Sequence, residues 1–471
     1  MEKITNTLYT NDNLFILNGL NSKSVDLIYL DPPFNSKRTY SAPVGSKSAG
    51  ASFKDMWTWK DVDEFYLEKL IDDYPNLVDF IQSIGDLHGK AMMSYITYMT
   101  QRLIEMYRVL KDTGSLYLHC DPTASHYLKI TIDAIFNKNN FRNEIVWKRA
   151  TSSQKGSQYG AKTWGTNGDI ILFYTKKENF FLDVYRDLLP EEVSRKFPLK
   201  DEKGNRYYDD SAHLWRNPGM GARPNLCYEW KGFRNPHPSG WRLSKERMEE
   251  EYKKGNIVIR PDKKLERRKY LKDYKGVPMG NLWFDINPAM AGERTGYPTQ
   301  KPLALLDRII KASSNKGDVV LDPFCGCATT CVAAEKLGRK WIGIDIEENA
   351  AEILIQRLEE ATTTMFKNFA HRKDIPKRTD IKQEPPDKPS IKEHLFEVQK
   401  GLCNGCETKM DIWHFEVDHI VPKARGGGDY LENYQLLCAN CNRIKGERPM
   451  EYLNQKIKRR REASAKVTFG E

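Results

Sequence analysis

The sequence predicts an α/β protein, a doubly wound, Rossmann-like sheet followed by a small metal-stapled domain, and three observations carry that expectation. Short, β-rich apolar runs end on an aspartate and a turn at Asp31, Asp322 and Asp345. A helical pattern followed by a glycine turn and another apolar run supplies the alternation that parallel sheets require. Near the end of the chain two Cys-x-x-Cys pairs replace this pattern.

Taken in order, Ser24 to Leu30 reads as a buried strand broken by Asp31-Pro32-Pro33. Tyr95, Met99, Leu103, Met106 and Leu110 recur at helical spacing, Asp112-Thr113-Gly114 turns the chain, and Ser115 to His119 is the next strand. Between about Ala150 and Gly280 the periodicity fades, and Trp164, Trp215, Arg216, Trp230, Trp241 and Arg242 give a polar, basic and aromatic composition that suits an inserted recognition region. Leu303 to Lys311 is an amphipathic helix, Asp318 to Leu321 a strand, Thr329 to Leu337 a helix and Lys340 to Ile344 a strand closing on Asp345. A further helix ends near Glu360, and the Pro- and charge-rich stretch after it, with Pro385 and Pro386, reads as a linker. The expected division is 1–150 and 281–362 for two halves of one sheet domain, 151–280 for the insertion, 363–390 for the linker and 391–471 for the cysteine-bearing domain.

A length of 471 residues exceeds what one core organises. The formal charge of +10, with Lys and Arg interleaved among aromatic residues, suits a polyanion with stackable rings, although charge alone does not decide the partner. There is no apolar run of about 18 residues, and Met1-Glu2-Lys3-Ile4 lacks the pattern of a signal peptide, so the expectation is a cytoplasmic protein without a membrane partner. In that reducing compartment the paired cysteines read as metal ligands rather than disulfides.

Asp31-Pro32-Pro33-Phe34 at a strand end is the most informative tetrapeptide. The Asp31 carboxylate and the Pro32 carbonyl suit the two N–H groups of an exocyclic adenine amine, a poor nucleophile that gains positive charge as it attacks a methyl sulfonium. The prolines stiffen the loop and Phe34 offers a face for an extruded base. A rigid turn is the plain alternative. Asp322-Pro323-Phe324-Cys325-Gly326 repeats the strand-to-turn transition before a helix, and Asp345 follows about 20 residues on, where an acid can accept ribose hydroxyls. Thr299-Gln300-Lys301-Pro302 either brings Lys301 to a cofactor carboxylate or is simply a helix start.

These motifs, in this order, resemble the β group of DNA amino-methyltransferases over roughly residues 8 to 360. The resemblance implies a catalytic site at Asp31, Pro32, Pro33 and Phe34, an S-adenosyl-L-methionine site at Asp322, Phe324, Gly326 and Asp345, and double-stranded DNA as partner. Aspartate in the first motif position implies adenine N6; cytosine N4 is the alternative. Ala328 stands where the family often has a second glycine, and alanine there demands a negative φ or a small strain. Cytosine C5 chemistry is set aside because the sequence has no Pro-Cys dipeptide, and a dinucleotide oxidoreductase because the spaced N-terminal glycines are missing.

Cys403, Cys406, Cys438 and Cys441 can supply four thiolates to a structural Zn²⁺. Between the pairs lie Asp418-His419, Gly426-Gly427-Gly428 and Asn433, with Asn442 beyond, and this order resembles a ββα domain of the HNH endonucleases. The resemblance implies His419 as general base, Asn433 as the residue orienting the hairpin or His419, and Asp418 with Asn442 as ligands of a catalytic Mg²⁺ or Mn²⁺. Asn442 occupies the place where many members have a final His. The expected protein is therefore an adenine methyltransferase with a fused nuclease in a restriction-modification or defence role, and a homodimer is an option to test. A methyltransferase whose zinc domain only binds DNA is the first alternative, and a nuclease whose other half reads modified bases is another.

Overall fold

The computed structural model describes residues 4–33, 38–41, 52–55, 70–71, 73–150, 167–235, 237–290, 292–347, 352–354, 356–357, 369–380, 388–429 and 431–468. Two compact units emerge, Val184–Gly280 and the remainder of the chain. In the larger unit, strand β1 (Thr7–Thr10), helix α1 (Asn13–Gly19) and β2 (Val25–Leu30) are followed by a separate two-stranded ladder of β3 (Arg38–Ser41) and β4 (Ser52–Asp55). Helices α2 (Pro75–His88) and α3 (Lys90–Val109) lead to β5 (Leu110–Cys120), α4 (Ser125–Phe136), β6 (Phe141–Lys148) and β7 (Gly168–Thr175).

The smaller unit holds β8 (Tyr185–Arg186), α5 (Pro190–Lys196), β9 (Leu199–Lys200), β10 (Arg206–Asp210), α6 (Lys245–Lys253), β11 (Ile257–Ile259), β12 (Leu265–Tyr270) and β13 (Val277–Pro278). Four of these strands form a sheet in the order β11-β12-β10-β9, and β8 pairs with β13. Its own core gathers Leu214, Trp230, Trp241, Met248, Ile257 and Leu265, with Trp215 stacked on Trp241 at 5.1 Å. The tryptophans that made this stretch look like a binding surface thus include core residues.

The larger unit resumes with β14 (Leu282–Trp283), α7 (Leu303–Ser313), β15 (Val319–Asp322), α8 (Thr329–Lys336), β16 (Lys340–Asp345) and β17 (Ala370–Arg372). Its sheet runs β14-β6-β7-β5-β2-β15-β16-β1-β17, parallel except where β7 opposes β5 and β6. Strand side chains alternate between faces. Ile28 and Leu30 accordingly join one core with Ile81, Leu103 and Ile132, while Leu27 and Tyr29 join the other with Leu305, Ile309 and Val332; Val25 joins the first core because the pairing shifts between Val25 and Leu27. Each such fully buried aliphatic side chain is worth about 1.5–3 kcal/mol, and helices on both faces make the sheet doubly wound.

Because β2, β15 and β16 are parallel neighbours, with Ile28 beside Leu321 and Asp322 beside Gly343, their C-terminal ends bring Asp31, Asp322 and Asp345 to one rim. Motifs hundreds of residues apart in sequence meet for this reason.

Three details differ from the sequence reading. Strand pairing passes from Val25 with Leu110 to Leu27 with Ser115, so β5 begins before the expected Asp112–Gly114 turn, which becomes an irregularity inside the strand. The interval 151–280 opens with a core strand, β7, whose run Ile170-Ile171-Leu172-Phe173-Tyr174 lies between β5 and β6. Part of the expected linker is also structured: Ala370–Arg372 adds an edge strand to β1, and Thr379 and Asp380 bond to Asn21 and Ser22.

At the C-terminus, α9 (Lys388–Val398) precedes the hairpin of β18 (Phe415–His419) and β19 (Tyr434–Cys438), which continues into α10 (Ala439–Lys445) and then α11 (Met450–Thr468). This is the expected ββα unit. Ile391, Leu395, Phe415, Leu436, Leu437 and Leu453 form its core together with Cys403, Cys438 and Cys441.

Candidate active site

The rim of the sheet opens into a cavity of about 380 Å³ lined by Asp31, Pro32, Pro33, Asp322, Phe324, Gly326 and Asp345. It therefore gathers all the expected catalytic and cofactor residues of the sheet domain except Phe34, which lies outside the described residues. Lys301 lines it too. Its Nζ donates to Oδ2 of Asp31 at 2.5 Å, and both side chains are mostly buried. The turn that delivers it has Thr299 at φ +64°, and Gln300 is tied to Thr295 and to the carbonyl of Glu293. A β-branched residue in the left-handed region is a local strain that a lysine start to an ordinary helix does not need. Asp31 Oδ1 is buried and has no hydrogen-bond partner among the described residues.

Asp322 accepts from the Thr330 hydroxyl at 2.5 Å and from the backbone N–H of Phe324 at 3.1 Å. Burial pushes its carboxyl up to about 7, with Asp31 and Asp345 adding to the rise. Asp345 accepts from the N–H groups of Gly326 at 2.7 Å and Glu347 at 2.9 Å, and burial pushes it to about 6. It therefore shapes the Gly326 turn, and the second lone pairs of its oxygens are what it has left to offer a ligand. Gly326 is required as glycine: φ is +48° and a Cβ would lie 2.9 Å from the Tyr297 ring. Ala328 takes the strained option, with φ +56° and ψ +33° at the start of α8. Asn13, beside the Asp12 that caps α1, donates to the carbonyl of Pro323 at 2.7 Å and so pins the cofactor loop. Tyr98, Tyr297 and Glu347 also line the cavity, and no motif in the sequence marks them.

In the ββα domain the four cysteine Sγ atoms lie within 4.8 Å of one another, and Cys406 and Cys438 are 3.9 Å apart. A tetrahedral Zn²⁺ with bonds of about 2.3 Å has sulfur edges of roughly that length, so the site fits the ion. Burial and the neighbouring thiol of Cys438 push Cys441 up, a cost that a dication among the sulfurs reverses. Among the described residues this is the one such cluster of His, Cys, Asp or Glu.

His419 Nε2 lies 2.8 Å from Asp429 Oδ1, and Lys423 and Tyr434 bond to the same carboxylate. Asp429 was not foreseen, although its place after Gly426-Gly427-Gly428 was the available signal. Asn433, almost wholly buried, accepts from Val421 N–H and donates to the carbonyls of Val421 and Gly428, holding the loop beyond His419. Asp418 and Asn442 are engaged separately. Asp418 holds Gln435 and the buried Lys445, each at 2.9 Å, whereas Asn442 donates to Glu416 at 2.5 Å. These two residues are not assembled as an open oxygen-ligand pair.

Residues 25–356 match the family of DNA methylases that act on amino groups, and residues 403–448 match the HNH endonuclease family. The chain belongs to the DNA methylase family. Among curated relatives of this methylase are the type II methyltransferase M.EcaI of Enterobacter cloacae, 29% identical over 360 residues, covering 75% of this chain and 69% of that protein. The type III StyLTI Mod subunit of Salmonella typhimurium is 26% identical over 362 residues, 71% of this chain and half of that protein. The DNA adenine methyltransferase YhdJ of Escherichia coli is 24% identical over 388 residues, 81% of this chain and 94% of that protein. The methylase domain of this chain is thus followed by an HNH domain of the kind read from the cysteine and histidine spacing.

Proposed function

We propose that this chain transfers a methyl group from S-adenosyl-L-methionine to the exocyclic amine of adenine in double-stranded DNA. The observation that carries the reading is the buried Oδ1 of Asp31, which has no hydrogen-bond partner among the described residues and lies on the rim of a cavity otherwise lined by the cofactor motif. The cofactor fits the cavity: the left-handed turn at Gly326 allows close backbone approach, and Asp345 and Glu347 line the side suited to a ribose. When bound, it supplies an electrophilic methyl group.

The protein's own part is to hold and orient the amine. Lys301 fixes Oδ2 of Asp31, which leaves Oδ1 to accept one amine N–H while the Pro32 carbonyl accepts the other. Positive charge growing on the nitrogen is stabilised by that carboxylate in a largely water-excluded site, and the proton released by the amine is accepted at Oδ1. Adenine is favoured over cytosine N4 by the aspartate of the first motif and by the adenine specificity in the name of the relative YhdJ. Asp322, Phe324, Gly326 and Asp345 are assigned to the cofactor, Asp31, Pro32, Pro33 and Phe34 to the base, and Lys301 to Asp31. Methyl-acceptance assays on duplexes, read by sequencing for N6-methyladenine and N4-methylcytosine, test this; label confined to cytosine overturns the base assignment.

We further infer a structural zinc at the four cysteines and a Mg²⁺- or Mn²⁺-dependent nuclease in the HNH domain, acting in restriction-modification or defence. The His419–Asp429 pair supports the nuclease, because a carboxylate on one ring nitrogen orients the imidazole and leaves the other to act as base. A DNA-binding zinc module is the competing account, favoured by the engagement of Asp418 with Lys445. Cleavage assays with either ion, with and without His419→Ala, separate them. No described helix is long and apolar enough to cross a membrane. A cytoplasmic setting agrees with DNA as substrate and with unpaired cysteines, and a homodimer is to be tested by light scattering.

A further inference from the structure

A line of buried polar groups crosses three adjacent strands beside the cavity, and the methyl-transfer reading leaves it unused. Tyr29 on β2, two residues before Asp31, lines the cavity. Its hydroxyl lies 2.9 Å from Nδ1 of His119, near the end of β5, and Nε2 of His119 lies 3.2 Å from Oδ2 of Asp169 on β7. Arg149 pairs with the other Asp169 oxygen at 3.2 Å. His119 is wholly buried and Asp169 almost so, with Trp147 packed edge-on against the imidazole. Apolar side chains would fill this space at lower cost, since buried polar groups are tolerated only when satisfied.

The network also fixes where its protons lie. Burial pushes the Asp169 carboxyl up, but the hydrogen bond from His119 and the charges of Lys301 and Arg149 hold Asp169 below its ordinary value, so it is an anion that only accepts. It takes the N–H of Nε2. In the neutral imidazole Nδ1 is then an acceptor, and the Tyr29 O–H must donate to it. Burial and then the Asp31 carboxylate keep that phenol protonated. What Tyr29 retains for a ligand in the cavity is a lone pair.

We propose that Tyr29 is a specificity-determining residue that offers an acceptor to the target base, and that His119 and Asp169 are the positioning residues that lock its proton away. This rests on the methyl-transfer reading and deepens it. An amine whose N–H groups face Asp31 Oδ1 and the Pro32 carbonyl meets a further lone pair at Tyr29 Oη, which can share the N–H held by Asp31, whereas a base with a keto oxygen in the same place meets lone pairs with lone pairs. The site would thus select the group it methylates before any reaction occurs.

The test uses the full chain and a duplex carrying its target adenine, or hypoxanthine at that position, with equilibrium binding and single-turnover methylation as readouts. Tyr29→Phe removes one oxygen and should lower the rate of methylation about tenfold and narrow the adenine-to-hypoxanthine affinity ratio by a similar factor, with cofactor affinity unchanged. Asp169→Asn keeps every heavy-atom position but can donate to Nε2, which turns Nδ1 into a donor and the Tyr29 proton toward the cavity. It should narrow the same ratio, and combining it with Tyr29→Phe should add little. A purely structural role predicts lower melting temperature with the ratio intact. Wild-type discrimination in both folded variants overturns the proposal. A wild-type chain that methylates no amine fails the underlying reading and takes this proposal with it, which is a distinguishable result.

Discussion

Replacing Lys301 by methionine separates two roles for that residue. In the structure its Nζ sits 2.5 Å from Asp31, with side-chain exposures of 9% and 17%. Removing one member of a buried ion pair costs about 3–5 kcal/mol because the other charge is left uncompensated, and the residual exposure of Asp31 places the expectation near the lower end, at about 3 kcal/mol. The lost partner also frees the Asp31 carboxylate to turn away from the amine, so the variant should lose stability in urea melts and methylate more slowly, with cofactor affinity nearly unchanged. Were Lys301 instead a partner of the cofactor carboxylate, the loss would fall on cofactor affinity. Wild-type stability together with wild-type methylation would falsify the ion-pair role.

Asp31→Ala should abolish methylation while calorimetry finds cofactor binding nearly intact; substantial turnover removes Asp31 from the reaction. The Asp322 carboxyl, raised from 3.8 to about 7 by burial, binds its proton more tightly in the folded chain, so its contribution to stability is full at low pH and is lost as pH climbs from about 4 through 7. Asp322→Asn lacks that loss, and its stability relative to wild type should rise across this window by an amount on the order of 4 kcal/mol at most, measured by denaturant melts at pH 5 and pH 8. Cys438→Ser should lose zinc by elemental analysis and open residues 403–448 to protease, with methylation retained; full zinc content contradicts the four-thiolate site. His419→Ala and Asp429→Asn should both lower any divalent-ion-dependent cleavage, the first by a factor of about 10² to 10⁴, with zinc retained.

Much of the sheet domain was legible because its chemistry sits where strands end. Asp31, Asp322 and Asp345 each close an apolar run, and a parallel sheet necessarily aligns such ends, so local patterns sufficed to bring them into one cavity. Strand β7 was missed although its run Ile170 to Tyr174 is apolar and β-rich, because it follows a polar stretch inside an interval read as one insertion and composition does not say which sheet a strand joins. The tryptophans of the second unit misled in the opposite direction. Trp230 and Trp241 were read as recognition residues, and they are core, because an aromatic side chain serves a small core and a nucleic-acid surface equally well.

The contacts that complete each site were legible only in part, because hydrogen bonds between distant residues leave no periodic trace. The Thr299-Gln300-Lys301-Pro302 turn offered Lys301 either to the site or to a plain helix start, and only the fold brings it to Asp31, 270 positions away in sequence. Ala328 shows the complementary case. The missing glycine was visible in the sequence, and the backbone nonetheless turns left-handed there at φ +56°, a conformation that costs an alanine about 1–2 kcal/mol. The turn is held anyway, by the Asp345 carboxylate on the N–H of Gly326 and by the Asp322 carboxylate on Thr330 at the start of α8. Two buried carboxyls thus do the work usually left to a glycine; burial raises the pKa of each, and the hydrogen bonds that hold the turn draw it back down. It follows that the strain at Ala328 and the hydrogen bonds of Asp322 and Asp345 are linked. Ala328→Gly should relax the turn's dependence on them, so that Asp345→Ala destabilises the Ala328→Gly background less than the wild-type chain, and strictly additive losses in the double variant would show the two features to be independent.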